Sequence, residues 1–233
     1  MQEFEQKILE QYDIEVNSTR KVRGAVLCET NKGVFLLKEV TTSEKRIPAL
    51  CELYTWLYEQ GEHQIDYMIA NRNGEYISSL DNGDRYMLKK WYQGRECDVR
   101  QEQDVVRAAA KLAVLHKDME KLAVKIRPGA DVQGKNPVEE VRRYNRELKK
   151  IRSFIRSRPV KNDFEILFLE NFEKMYRTAD DILARMETSG CRKLFEESVS
   201  KGSVVHGDYN YHNLIMLRDD IAVTDFEHMH TDI

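Results

Sequence analysis

Apolar and polar positions alternate with period two along Lys21 to Thr30 and Gly33 to Val40, the pattern of half-buried strands, and Asn31-Lys32-Gly33 between them is hairpin chemistry. A short helix over Glu3 to Tyr12 and a weak strand precede them. Thr42 or Ser43 caps an expected helix from Glu44 to about Gln60. Its apolar face is Ile47, Leu50, Cys51, Tyr54, Leu57 and Tyr58, and Gly61 is its stop. Three more strands follow, Ile65 to Ala70, Tyr76 to Leu80 and Arg85 to Tyr92, joined by Asn73-Gly74 and Asn82-Gly83 turns. Beyond them the period changes to that of helices. Val105, Ala109, Leu112, Ala113 and His116 share one face of a helix from Glu102 to Met119, where His116 reads as a hydrogen-bonded core histidine. Pro128-Gly129 and Gly134 mark Lys125 to Pro137 as a loop. An amphipathic helix over about Val138 to Arg156 and an acidic one from Asp163 to Glu187 complete the pattern.

The chemistry is concentrated in Val204 to Glu227. An apolar pair leads into His206-Gly207-Asp208, Asn213 lies five residues after Asp208, and an alternating apolar run ends at Asp225-Phe226-Glu227. This reads as strand, catalytic loop, hairpin and metal loop. Phosphoryl transfer to a hydroxyl needs a carboxylate to orient and deprotonate the acceptor, and an amide plus a second carboxylate to hold magnesium against the phosphates. Asp208, Asn213 and Asp225 supply those groups at kinase spacing.

HGDYNYHN followed by TDFE resembles the aminoglycoside phosphotransferase and choline kinase superfamily, and within it the spore coat protein CotS family of kinase-like proteins. KGVFLLK, AAAKLAVLH and FLENFEKMYRTADDIL are similar to that family as well. The resemblance implies an α+β, bilobal protein kinase-like fold, with which the order of strands, helix and further strands agrees. Residues 1–92 would form a small antiparallel-sheet lobe that binds nucleotide, the hinge would lie at about 90–94, and 95–233 would form a mainly helical lobe. It implies ATP and Mg2+, with Asp208 as base, Asn213 and Asp225 as magnesium ligands, and His206 as a backbone-bonding residue that shapes the loop. Lys38 stands where the family lysine contacts the α- and β-phosphates. A helix glutamate should steady it: Glu52 has the familiar separation but points off the apolar stripe, and Glu44 lies nearer that stripe. The hinge backbone from Lys90 to Gly94 would meet the adenine, with Trp91 and Tyr92 either lining that pocket or part of the core.

The phosphate loop departs from the glycine-rich pattern. Its candidate segment, Ser18 to Gly24, has one glycine, and Arg20, Lys21 and Arg23 would supply positive charge instead. Family members also continue past the metal loop with several helices. The chain ends at Ile233, so the expectation is a shortened helical lobe with exposed apolar surface or a partner.

Composition adds limits. A net charge of -3 with 33% charged residues makes no case for nucleic acid, and no apolar run is long enough to span a bilayer. The first fifteen residues are too acidic for a signal peptide. Cys28, Cys51, Cys97 and Cys191 form no CxxC pair and read as thiols of a reducing compartment. The basic stripe of the helix at about Val138 to Arg156 and the turn after it, Arg142, Arg143, Arg146, Lys149, Lys150, Arg152, Arg156, Arg158 and Lys161, is either an anionic docking face or the partner of the acids at 163–187. A metal hydrolase built on His206, Asp208, His212, His228 and His230 is a competing reading that leaves Asn213 unused. The resulting expectation is a mother-cell cytoplasmic or spore coat phosphotransferase acting on a small-molecule or protein hydroxyl. Its rival is a kinase-fold scaffold among coat proteins.

Overall fold

The computed structural model describes residues 3–120, 122 and 131–232. It divides into two compact units, residues 1–132 with 204–230, and residues 133–203 with 231–233.

The first unit begins with α1 (Glu3–Leu9) and the strands β1 (Val16–Val22), β2 (Ala25–Thr30) and β3 (Gly33–Glu39). The helix expected over Glu44 to Gln60 is a 3-10 turn, Glu44–Arg46, running into α2 (Ile47–Glu59). Then come β4 (Met68–Ile69), β5 (Ser78–Ser79), β6 (Arg85–Lys90), β7 (Arg95–Glu96) and α3 (Glu102–Met119). The first sheet is antiparallel in the order β1-β2-β3-β6-β4, with β5 also on β6. Strand parity sorts its side chains. Phe35 and Leu37 pack with Cys28 and Leu88 under Ile8 and Leu9 of α1 and under Tyr12 beyond it, whereas Leu36 packs with Ala25 and Leu27 on the opposite face. Lys38 shares the parity of Leu36, the less covered side.

The strand expected from Lys21 to Thr30 is corrected here. Ser18 to Val22 belong to β1, and the turn to β2 is only Arg23-Gly24, with φ 47° and 80°. Two successive positive φ values make the tight primed hairpin turn that glycine favours, and it divides the expected strand in two. The α3 face is also corrected. Asp104, Leu115 and Met119 are buried, while Val105, Ala109, Ala113 and His116 are exposed. In α2 the buried set is Ala49, Leu50, Leu53, Tyr54 and Leu57, so Leu53 faces inward and Tyr58 outward.

The chain returns to this unit through β8 (Val204–Val205) and the hairpin β9 (Leu214–Met216) to β10 (Ile221–Val223), and β9 pairs with β7. Leu214, Met216, Ile221, Val223, Phe226 and Met229 enter one core with α2 residues Leu50, Leu53 and Leu57. The hairpin is thus packed as part of the core and not carried as a surface flap.

The second unit contains α4 (Pro137–Ser157), α5 (Asp163–Thr188) and α6 (Cys191–Lys201). Asn136 caps α4, and Asn162 with Glu165 forms a capping box at α5. The basic stripe of α4 meets acids on α5: Arg142 pairs with Glu187, Arg152 with Glu173, and Arg158 with Glu165. Phe154, Val160, Phe164, Leu167 and Met175 are exposed. Of the loop expected at 125–137, residues 125–130 lie outside the described residues. All four cysteines are free thiols. Among the described residues no helix is long and apolar enough to cross a membrane.

Candidate active site

β8 delivers His206 into the core. The ring is 1% exposed, and its Nε2 donates to the Thr224 carbonyl at 2.9 Å while Nδ1 accepts the Asp208 amide at 3.2 Å. Both bonds require the neutral ring protonated on Nε2, and burial lowers its pKa to about 4, which keeps it so. The loop that carries Asp208 is thereby tied to the residue before Asp225. Gly207 has φ 79°, and a Cβ there would collide with the His228 carbonyl. Only glycine fits both conditions.

Asp208 is held by two amides. One carboxylate oxygen accepts Asn210 Nδ2 and the other Asn213 Nδ2, each at 2.9 Å. Asn213 Nδ2 also reaches the Asp208 carbonyl at 2.9 Å. Asn210 went unnoticed in the sequence. Its Oδ1 accepts the His212 amide at 2.9 Å and opens the 3-10 turn Tyr211–Asn213, so the signal was an asparagine two residues before a backbone turn. Tyr209 donates to the Ala108 carbonyl at 2.7 Å and anchors the loop on α3.

The Asp225-Phe226-Glu227 loop follows β10. Val223 donates its amide to Gln64 and Thr224 to Asn213, both at 2.9 Å. Asp225 takes a left-handed conformation, φ 69°, and its amide donates to Asp66 Oδ2 at 2.9 Å. Lys38 Nζ lies 2.7 Å from Asp225 Oδ1 and also bonds Glu227. Glu227 reaches a second cation, Lys89 on β6, at 2.5 Å, and Lys89 meets Asp66 at 2.5 Å. Asp66 Oδ1 accepts the Tyr54 hydroxyl at 3.0 Å.

These charges shift one another. Burial, then the neighbouring Glu227, raises the Asp225 carboxyl to about 6 against the pull of Lys38. Burial opposes ionisation of Glu227 too, but Lys89, its bond with Asp225 and Lys38 hold it well below the usual carboxylate range. Lys89 is wholly buried, yet Asp66, Tyr54 and Glu227 keep it protonated far above its ordinary pKa.

A cleft of about 120 Å³ opens beside these groups. Lys38, Asn213 and Asp225 line it with Val22, Ala25, Leu36 and Trp91. Arg23 lies on the same cleft, bonded to Glu96 at 2.7 Å, and Glu96 also bonds His212 at 3.0 Å.

The structure therefore brings Lys38, Arg23, Trp91, Asn213 and Asp225 together, with Asp208 on Asn213. Lys90 is not part of this set. Its amide is used by the Tyr67 carbonyl, and its ammonium lies 5.4 Å from the centre of the Phe35 ring. The Trp91 amide is likewise bonded to Val34, and Tyr92 turns its hydroxyl to the carbonyls of His63 and Ile65. Glu44 pairs with Arg85, and Glu52 lines a separate groove with Cys51, Thr55 and Trp56. The carboxylate beside Lys38 comes from Glu227, because α2 presents Leu53, Tyr54 and Leu57 inward. The hydrolase reading is not supported by the donors: both nitrogens of His206 are spent on backbone, and no group of three His, Cys, Asp or Glu residues is arranged for a metal among the described residues.

A family model described as "Spore coat putative kinase YutH" matches residues 5–174, well over half of the chain. The chain belongs to this spore coat kinase family. Family membership agrees with the kinase-like group to which the motifs pointed, and the matched segment includes Lys38 but ends before Asp208. No match is found among curated protein sequences. Among solved structures, an aminoglycoside phosphotransferase from Alicyclobacillus acidocaldarius is similar at TM-score 0.79 and 16% identity, over 97% of this chain and 67% of the other. An AMP-bound spectinomycin phosphotransferase aligns at TM-score 0.66 and 13% identity, over 98% of this chain and 70% of the other. An amicoumacin kinase in complex with AMP-PNP and Ca2+ aligns at TM-score 0.62 and 15% identity, over 97% and 64%. The likenesses establish the kinase-like fold of this family member.

Proposed function

We propose that this chain is an ATP-dependent phosphotransferase associated with the spore coat, moving the γ-phosphoryl group to the hydroxyl of a small molecule or a protein. The observation that carries this reading is the convergence of Lys38 with Asp225, 187 residues apart, beside Asn213 and Asp208. The nucleotide-bound neighbours support the choice of ATP. Residues 1–92 form the nucleotide lobe in this reading and 95–233 the helical lobe, with the hinge at about 90–94.

The cleft lends Val22, Ala25, Leu36 and Trp91 to the apolar base, Arg23 and Lys38 to the phosphates. Asp208 accepts the acceptor's proton as the hydroxyl oxygen bonds to the γ-phosphorus and the bond to the bridging oxygen of ADP breaks. Its two amide partners fix both carboxylate oxygens, so its orientation costs nothing further at the moment of transfer. Asn213 and Asp225 would hold magnesium. The donor set fits: Asn213 spends its NH2 on Asp208, so its amide oxygen is the atom it has to offer a cation, and Asp225 offers a carboxylate. One amide and one carboxylate suit a cation that keeps water and phosphate as its other ligands. Bound there, magnesium neutralises charge on the phosphates.

One observation favours a second reading, a coat scaffold that keeps the fold without turnover. The cleft volume of about 120 Å³ is below the roughly 300–1,000 Å³ of ordinary ligand pockets. Thermal unfolding with and without ATP and Mg2+ separates the two. A ligand at a hundred times its dissociation constant adds about 2.7 kcal/mol. The shift is expected in the wild type and lost in Lys38→Ala and Asp225→Asn. A cooperative transition unmoved by millimolar MgATP sinks the catalytic reading.

A further inference from the structure

We propose that Lys89 is a positioning residue for the metal loop, a buried cation that fixes Asp225 and Lys38 to one frame. The inference rests on the phosphotransferase reading above and adds a residue that neither the motif nor the helix contributes. Lys89 sits on β6 among Met87 and Leu88, in a place where an apolar side chain would satisfy packing, and it is 1% exposed. Burying an ammonium is expensive unless carboxylates surround it. Here two do. Asp66 Oδ2, 2.5 Å away, also receives the amide of Asp225, the residue whose left-handed backbone aims the metal-binding carboxylate. Glu227 Oε1, also at 2.5 Å, belongs to the carboxylate whose other oxygen holds Lys38.

One ammonium is therefore one carboxylate away from the Asp225 backbone and one carboxylate away from the Lys38 side chain. Without it, Asp66, Asp225 and Glu227 would share the single charge of Lys38. Glu227 and Asp66 would then draw Lys38 away from Asp225, and Asp66 would lose the partner that keeps its Oδ2 under the Asp225 amide. Tyr54 on Oδ1 and the Asp225 amide itself would be its remaining bonds, with no cation to hold the charge.

The test measures ATP affinity by calorimetry in EDTA and again in excess Mg2+, for the wild type, Lys89→Met and Asp66→Asn, with thermal unfolding as the control for folding. Loss of an outer-shell partner costs about 10–100-fold in metal affinity. The factor by which Mg2+ tightens ATP binding is accordingly expected to fall at least about tenfold in both variants. A purely structural role would lower the melting temperature, or both affinities together, and leave that factor unchanged; this outcome overturns the proposal while the kinase reading stands. No gain from Mg2+ in the wild type itself overturns both. Should Lys89→Met not fold, Asp66→Asn, which keeps the side-chain shape, decides alone.

Discussion

Replacing Asp225 by Asn should make the ligand-free protein more stable at neutral pH while destroying its response to MgATP. The Asp225 carboxyl sits at about 6 in the folded chain against 3.8 for the free group, raised first by burial and then by Glu227. It binds its proton more tightly when folded. Between pH 3.8 and 6 the native state carries the extra proton, so its contribution to stability falls as pH rises through that window. Above it the ionised group is a liability. A shift of roughly two units corresponds to about 3 kcal/mol. That is an upper bound, because Asp225 is 28% exposed and asparagine gives up one ion pair of Lys38, which keeps Glu227. A net gain of about 1–2 kcal/mol remains, or some 3–6 °C for a chain of this size. Differential scanning calorimetry of both proteins at pH 7.5 and pH 5 reads it directly. The variant should melt higher at pH 7.5, and the gap should narrow at pH 5, where the wild type regains its proton. A variant that melts lower at pH 7.5, or a gap independent of pH, refutes the reasoning.

His206 works in the opposite direction. Its pKa of about 4 lies below the ordinary 6.5, so its contribution is complete above pH 6.5 and lost as pH falls toward 4, by up to about 3 kcal/mol. His206→Gln should flatten the acid limb of a urea-midpoint against pH curve, most clearly in the Asp225→Asn background where the opposing term is gone. Gly207→Ala should cost at least about 1–3 kcal/mol from its left-handed backbone alone, more from the His228 carbonyl, and chemical denaturation would show a loss outside that of neighbouring surface changes. Tyr54→Phe removes a hydroxyl from the buried Asp66 carboxylate and should cost about 1.5–3 kcal/mol in urea unfolding. A neutral result there would mean that Lys89 satisfies Asp66 unaided.

The motif was legible because its geometry is local. His206, Gly207, Asp208 and Asn213 are set by bonds spanning at most eighteen residues, and β9 and β10 follow from an alternating run. Lys38 was legible only through the family resemblance of KGVFLLK, because the strand alone would make it a solvated lysine. The reading failed where several frames were equally apolar. In α3 the alanines at 108, 109, 110 and 113 make more than one face acceptable, and the register was decided by Leu115 and Met119 meeting the core. Lys89 was not legible at all: RYMLKK reads as a strand with a solvated end, and the two carboxylates that allow its burial stand 23 residues before it and 138 after.

The partner of Lys38 is where the fold and the chemistry meet. In this chain the carboxylate that pairs with Lys38 beside Asp225 lies two residues beyond it, on the same loop, and not on α2. A shift of α2 alone would leave the Lys38 to Glu227 bond in place, whereas any movement of the 225–227 loop carries both carboxylates at once. Lys38 also holds Asp225 Oδ1 at 2.7 Å, the group that the proposed function gives to magnesium. To reach a phosphate, Lys38 must release that oxygen, and the release both frees Asp225 as a ligand and removes the cation that was neutralising it. Phosphate at Lys38 and a cation at Asp225 should therefore favour one another, as linkage requires of two ligands that exchange a shared partner. Glu227, anchored by Lys89, lets Lys38 make that exchange without leaving the cleft.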